Sequence, residues 1–545
     1  MLIAEKNIFN TNKSQLLLLE KGNWSFSAES CLNVACENFS VIRNTLNTHG
    51  SYTLSEYLNY IKPKHQSSCQ SMGDLFDVIK RYIQPLLGES NARQAVNDIE
   101  RSPVVLTANH HGVTYFAQDF QGSLLFSLDK FAGQESGTTV PVFSCGTVPL
   151  DNLTYPSGLL FYRVGDGDLE AVPRKLPVFS NKVRRQLVSN VQPFDREMVL
   201  RAHRSLAKLL NDSAIGASLA EAARWLLLKS YCASTVMNSQ SYSQQAVILN
   251  NTIWKRLFSG RVSVPELVCL ELEKISSELL VEDLTNTESL ASFIMFDATL
   301  CENVFEELNG KRACWQTEKL LKRLHACLLN ETKKPAAKGC GTMLFWGLND
   351  RGRKVPLYLD TVTGNSKKLR GVDDRGNILE LPFSPKSIIE GLNRNKLLPS
   401  LFTSFLVVSL ARGVVCAGGY FQCEYLPAMQ RGVVNALEKA GGYDGVARHV
   451  SNVTTDTYLS GMIAAMTRVN NDYLVPAGPI EILAAGGFKE DDIVQLQSIT
   501  VKDAHVAALT ETLQDLPLWT RQAPNWKTHL ALNIAPLLEN KVVIK

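Results

Sequence analysis

Two short stretches hold the side chains best suited to chemistry. In the first, Val104-Val105-Leu106 runs directly into Thr107-Ala108-Asn109-His110-His111-Gly112. The β-branched and apolar triplet reads as a buried strand, and small, polar and flexible residues follow it. A strand that stops this way presents side chains and backbone N–H groups at the carboxyl edge of a sheet, where open α/β folds bind ligands. Imidazoles placed there can contact phosphate, move protons or ligate a metal. Adjacent histidines on an extended backbone diverge, so they do not share one ion, and no HExxH spacing is present. A structural turn with hydrogen-bonded histidines is the competing reading. The second stretch runs from Leu398 to Gln430. Its apolar run, Leu401 to Leu410, meets Arg412, breaks at Gly418-Gly419 and then presents Gln422, Glu424, Tyr425 and Gln430. This too has the form of a ligand site at a strand end, although a core helix with a glycine break explains it equally well in isolation.

Weaker candidates lie elsewhere. Val140 to Cys145 reads as a second buried strand ending at Ser144, Cys145 and Gly146. A nucleophilic Ser or Cys needs a base within reach, and no GxSxG elbow surrounds Ser144, so Cys145 reads as a buried thiol. Gly165-Asp166-Gly167-Asp168 lacks the rest of a calcium-loop pattern and reads as a surface turn. Ser384 is placed to cap a helix beginning at Pro385, with Lys386 adding charge for an anion; capping alone also accounts for the pair.

The elements that must position these residues follow from length and pattern. A chain of 545 residues exceeds what one core usually serves, so several domains or a core with insertions are expected. The net charge of +3 argues against a nucleic-acid footprint. The 12 cysteines include no CxxC spacing, which leaves no zinc, redox or other metal motif. The opening Met1 to Lys13 lacks signal-peptide order, and no apolar window reaches transmembrane length. The expectation is a soluble cytoplasmic protein with reduced thiols, acting on small molecules without nucleic-acid or membrane partners. Residues 1–100 read as an α/β lead-in, with a strand at Ser14 to Glu20, a loop at His65 to Ser71 and a helix from Leu75 that Pro85 disturbs. Residues 101–192 form the first part of the core. Residues 193–340 read as a helical insertion, with helices at Arg196 to Leu210, Leu219 to Tyr231 and Pro265 to Leu280 and a polar loop or lid at Met237 to Gln245. Strands resume at Met343 to Leu348 and Val355 to Leu359, and residues 341–545 complete the core with C-terminal helices.

Several landmarks in order resemble the bacillithiol synthase family, the cysteine-adding enzymes. That family has a strand leading to a TGQQ-type turn, a VPVFW strand, an FSPN segment before a helix, and an apolar stretch closing in GGPGE…Y…Q. Here stand Thr107 to Gly112, Val140-Pro141-Val142-Phe143, Phe383-Ser384-Pro385-Lys386, then Leu398-Pro399, Gly418-Gly419, Glu424-Tyr425 and Gln430. The islands cover about a fifth of the chain. The two site segments depart from the family pattern, and its coiled coil is not evident, so the likeness bears more on fold than on substrates. The fold class it implies is α/β, a Rossmann-like parallel-sheet core with a large helical insertion.

The function implied is a ligase or transferase that joins an amino-acid or amine substrate to a small molecule, assisted by ATP or ADP. In that scheme His110 and Glu424 are catalytic. Thr107, Asn109, Gly112, Ser384, Lys386, Gly418 and Gly419 hold the nucleotide, while His111, Arg412, Gln422 and Tyr425 contact substrate. The alternative is a catalytically silent interaction protein that binds a nucleotide or metabolite. A hydrolase using Ser144 or Cys145 with His110 or His111 is a third option. The sequence leaves the oligomeric state open, a homodimer among the options.

Overall fold

The computed structural model describes residues 27–62, 72–131, 138–163, 173–258, 263–328, 339–360, 367–469, 473–516 and 525–545. The expected strand at Ser14 to Glu20, the loop at His65 to Ser71 and the turn at Gly165 to Asp168 lie outside them. Five strands make the central sheet: β1 (Val104–Leu106), β2 (Thr139–Ser144), β3 (Glu266–Glu271), β4 (Val415–Gly419) and β5 (Tyr458–Ser460). All neighbouring pairs are parallel, in the order β5-β4-β1-β2-β3. Parallel sheets are covered on both faces, which is why β1 and β2 are buried at every position. Side chains alternate between the two faces and so divide the core. Val104, Leu106, Val140 and Val142 belong to one hydrophobic cluster, while Val105, Phe143, Val268 and Cys416 belong to the other.

The strand order is consistent with a Rossmann-like core. Strands β1 to β3 lie to one side, β4 and β5 to the other, and the order reverses between β1 and β4. In open α/β sheets that reversal is where ligands bind, beyond the carboxyl ends of the strands. Both candidate stretches end there.

A second, antiparallel sheet packs beside the first. Its order is Leu397–Pro399, Phe345–Leu348, Lys354–Asp360, Lys368–Val372 and Ile378–Pro382. The strands expected at Met343 to Leu348 and Val355 to Leu359 are present, but in this meander and not in the parallel sheet. Their importance is positional, because the meander carries Lys354 to the loop after β2, where its Nζ lies 3.4 Å from the Thr147 carbonyl oxygen.

Several segments differ from the sequence reading. Pro265 to Leu280 is not one helix: Glu266–Glu271 is the edge strand β3, followed by the helix Leu272–Thr285. A short apolar run buried on both faces has no period that distinguishes strand from helix. The helices within 193–340 therefore flank a strand of the central sheet and do not form one unbroken insertion. Met237 to Gln245 is not a free loop, since the helix Tyr242–Arg256 begins inside it, capped where Ser241 Oγ accepts from Gln244 N. Pro85 is accommodated within the helix Gly73–Leu87. The apolar run at Leu401 is a short helix, Leu401–Phe405, continued by a π turn to Leu410, and it delivers the chain to the start of β4.

Arg412 lies at the amino end of β4, on the edge away from the candidate site. Its guanidinium is buried against Asp74 Oδ2 at 2.5 Å and Asp283 Oδ1 at 2.8 Å, and Nη1 donates to the Val407 carbonyl at 2.7 Å. These contacts clamp the entry to β4 onto the helices Gly73–Leu87 and Leu272–Thr285. Among the described residues no helix is long and apolar enough to cross a membrane.

Removing one member of a buried ion network strands the others without compensation. Arg412→Ala is expected to lower unfolding free energy by about 3 kcal/mol in urea titrations. Asp74→Asn should cost less, because the Asp74 side chain is one-third exposed.

Candidate functional site

The site is built on a mismatch between two strand ends. Leu106 pairs with Val142, yet the next pairing joins His110 to Cys145. Four residues of chain thus oppose three, which is a β-bulge. Ladder bonds on either side fix it: Cys145 N donates to Asn109 O at 2.9 Å, and His111 N donates to Cys145 O at 2.8 Å. The bulge sets the directions of the adjacent imidazoles. His111 turns inward and His110 turns toward the solvent-facing carboxyl edge of the sheet.

His111 is 1% exposed, and both ring nitrogens are engaged. Nδ1 lies 2.7 Å from Ser144 Oγ, and Nε2 lies 2.8 Å from Ser243 Oγ. The Ser243 hydroxyl donates onward to Glu271. Burial pushes the His111 pKa down to about 4 and the Glu271 carboxyl up to about 8. Both groups are therefore neutral at pH 7, and the chain Ser144–His111–Ser243–Glu271 ties β2, β3 and the helix Tyr242–Arg256 to the bulge. Ligand contact is closed to His111. Asn109 and Gly112 are also structural. Asn109 Nδ2 donates to Asp119 O and to Ser123 Oγ, each at 3.0 Å. Gly112 has φ +137°, and a Cβ there would lie 2.7 Å from Pro156 Cβ.

His110 has different surroundings. Its side chain is 36% exposed, and its backbone N–H donates to Asp119 Oδ2 at 3.0 Å. Ring Nδ1 is shut off from solvent, 3.9 Å from that same carboxylate oxygen, which leaves Nε2 as the nitrogen open to the cleft. Burial, together with the Lys354 cation, holds the ring down to about 4, while burial raises Asp119 to about 7. A neutral imidazole with a free nitrogen is a proton acceptor.

Opposite His110, the Cys145 thiol donates to Glu273 Oε1 at 3.1 Å and lies 3.3 Å from Thr147 Oγ1. Gly146 N at 2.6 Å, Thr147 N at 3.0 Å and the Thr147 hydroxyl at 2.8 Å complete the donors to Glu273. Burial, and then the Glu273 charge, keeps the thiol well above its ordinary pKa. Lys354 is exposed along its side chain, but desolvation of its ammonium, which lies over the Trp346 ring, lowers it against the opposing pull of Cys145 and Glu273. Tyr425, half-buried, has its phenol raised by burial and by Cys145. His110, Cys145, Glu273, Lys354 and Tyr425 thus form one electrostatic cluster drawn from both sheets.

The two expected walls do meet. Gln422 Nε2 donates to Thr107 Oγ1 at 2.8 Å and to Cys416 O at 3.0 Å, bridging the ends of β1 and β4. Gly418 is needed for this, since a Cβ there would overlap the Gln422 amide, whereas the nearest atom to a Cβ at Gly419 is Ser460 O at 3.4 Å. Glu424 is on the rim, 60% exposed and paired with Arg312 at 2.9 Å, and the guanidinium lies over the Phe421 ring at 3.8 Å. Ser384 and Lys386 are not brought to this edge. Ser384 Oγ accepts from Ser387 N and caps the helix Pro385–Asn393, with Lys386 exposed in its first turn.

Sequence reading alone missed Asp119, Glu273, Lys354 and Arg312. Glu271 and Glu273 would have stood out had Glu266–Glu271 been recognised as a strand. Lys354 and Arg312 reach the site through long-range packing, and Asp119 reaches it from the first turn of the next helix, nine residues after His110; none of the three carries a local signal. No family model, curated protein or solved structure matches the chain.

The buried carboxyl makes a pH prediction. Glu271 holds its proton more tightly when folded than its ordinary value of 4.5, so its contribution is full below that value and is lost as pH rises through about 8. His111 runs the other way, its contribution rising up to 6.5, its ordinary value. Between pH 6.5 and 8 the wild type should therefore lose stability at up to about 1.4 kcal/mol per unit, and Glu271→Gln should flatten that slope. Urea titrations across the interval measure it; parallel slopes for the two proteins would contradict the assignment.

Proposed function

We propose that the chain is an enzyme of the carbon–nitrogen bond-forming ligase or transferase class, joining an amino-acid or amine substrate to a small molecule with ATP or ADP as the assisting nucleotide. The observation carrying this reading is the convergence, at the reversal of strand order, of an open imidazole from β1 and the Gly418-Gly419 turn from β4, bridged by Thr107 and Gln422. The fold reading that accompanies it is a Rossmann-like core elaborated by the helices of residues 196–328, in keeping with the resemblance to bacillithiol synthase.

His110 Nε2 is the proton acceptor in this scheme, its backbone N–H held by Asp119 Oδ2. The amine must lose a proton to become nucleophilic or to release its product, and a neutral imidazole at pH 7 takes it. Lys354 supplies fixed positive charge for a developing oxyanion or a phosphate oxygen. The turn after Gly419 opens the helix Gln422–Ala440, whose amino end favours anionic groups. Glu424 and Arg312, paired on the rim, are positioned to receive the ammonium and carboxylate of an amino-acid substrate by exchanging partners.

One observation favours the alternative, a catalytically silent nucleotide- or metabolite-binding protein. The Gln422 side chain occupies the space over Gly418 and satisfies Thr107, so the crevice between β1 and β4 is filled by the protein itself. Incubation with ATP and a panel of amino acids and amino sugars separates the two readings. The enzyme reading expects amine-dependent nucleotide consumption that falls about 100-fold in His110→Ala, with unchanged circular dichroism. A thermal shift with ATP or ADP but no product supports the silent reading.

A further inference from the structure

We infer that Cys145 is an acyl carrier: its thiol takes an acyl group from an activated small-molecule donor and hands it to the amine, with His110 moving the proton in both steps. The inference rests on the ligase reading and deepens it by giving the transfer a covalent route.

Four features of the cleft lead there. The bulge pairs His110 with Cys145, so imidazole and thiol stand at matched positions of adjacent strand ends. Cys145 is only partly buried, while Cys31, Cys269, Cys301, Cys314, Cys340 and Cys416 are buried. Its thiol is oriented, because among the described residues it is the cysteine that donates to a carboxylate, Glu273 Oε1 at 3.1 Å. That carboxylate is fixed by two backbone N–H groups of Gly146 and Thr147, so it positions the sulfur without itself swinging. Finally, the Lys354 ammonium sits at the Thr147 carbonyl, beside the place where negative charge would develop.

The chemistry balances as two acyl transfers. In the first, the sulfur attacks the carbonyl carbon of an acyl phosphate or acyl adenylate. The S–H proton, directed at Glu273 Oε1 in the resting site, passes to His110 Nε2, the acyl carbon–oxygen bond to the phosphate breaks, and a thioester forms as the phosphate or nucleoside monophosphate leaves with that proton. In the second, the amine nitrogen attacks the thioester carbon and gives one proton to His110 Nε2, the carbon–sulfur bond breaks, and His110 passes that proton to the sulfur. The products are an amide and the free thiol. Glu273, with its donors already in place, is a positioning residue.

The test uses the full chain and p-nitrophenyl acetate as acyl donor, with the acetyl group located by peptide mass spectrometry. Cys145 should acetylate at least about 10-fold faster than Cys36, Cys232 and Cys423, the other half-buried described thiols. Hydroxylamine should discharge the adduct, and His110→Ala should slow its formation by about 10- to 100-fold. Acetylation of Cys145 no faster than of the other three would overturn the proposal. So would full amide-forming turnover in Cys145→Ser. If Cys145→Ser stays active while His110→Ala is dead, the ligase reading survives and the thioester does not. If both variants stay active, both readings fail.

Discussion

One extra residue on β1, between its pairing with Val142 and its pairing with Cys145, decides how this protein uses two adjacent histidines. In a regular ladder the register set by Leu106 and Val142 would bring Asn109 opposite Cys145. The bulge advances the chain by one, and because side chains alternate sides, each later residue changes face. His110 then faces the cleft, and His111 faces Ser144 and Ser243. Everything that holds the bulge is interior: Asn109 on the helix Ala117–Phe131, Gly112 against Pro156, and Asn250 Nδ2 donating to the Gly112 carbonyl at 2.9 Å.

The charges around the bulge separate along the same line. On the inner side a neutral imidazole and a protonated Glu271 satisfy one another through Ser243, so no net charge is buried there. On the cleft side the groups keep charge or stand ready to gain it. Lys354 arrives from the antiparallel sheet, Glu273 from the first turn of the helix after β3, and Asp119 from the first turn of the helix after the bulge. Three separate elements meet because the carboxyl ends of β1, β2 and β3 are neighbours, which the strand order dictates. The clamp of Arg412 on Asp74 and Asp283 at the opposite edge fixes where β4 begins, and so where Gly418 and Gln422 end up.

Much of this scaffold could be read from local pattern. Val104 to Leu106 and Val140 to Phe143 are strands because β-branched and apolar residues occupy every position, and Ser384-Pro385 caps a helix as its residue types dictate. The strand Glu266–Glu271 was not legible, since its apolar run continues without a break into the helix Leu272–Thr285. For the site, the divergence of His110 and His111 follows from strand geometry, but which of them faces the cleft depends on a bulge that no residue type announces. Gln422 and Thr107, read as parts of two walls of one ligand site, hydrogen-bond to each other and fill the space between them. Lys354 has no neighbours in sequence that mark it, since its role comes from packing between elements far apart along the chain, while Asp119 is close to His110 in sequence but is marked by no motif.

The bulge exposes His110 and seals His111. Diethylpyrocarbonate footprinting with peptide mass spectrometry tests it directly, because the reagent carbethoxylates neutral, accessible imidazoles. His110 should be modified rapidly at pH 7, and His111 should stay protected until the chain is unfolded in urea. Equal modification of the two rings in the native protein, or preferential modification of His111, would contradict it.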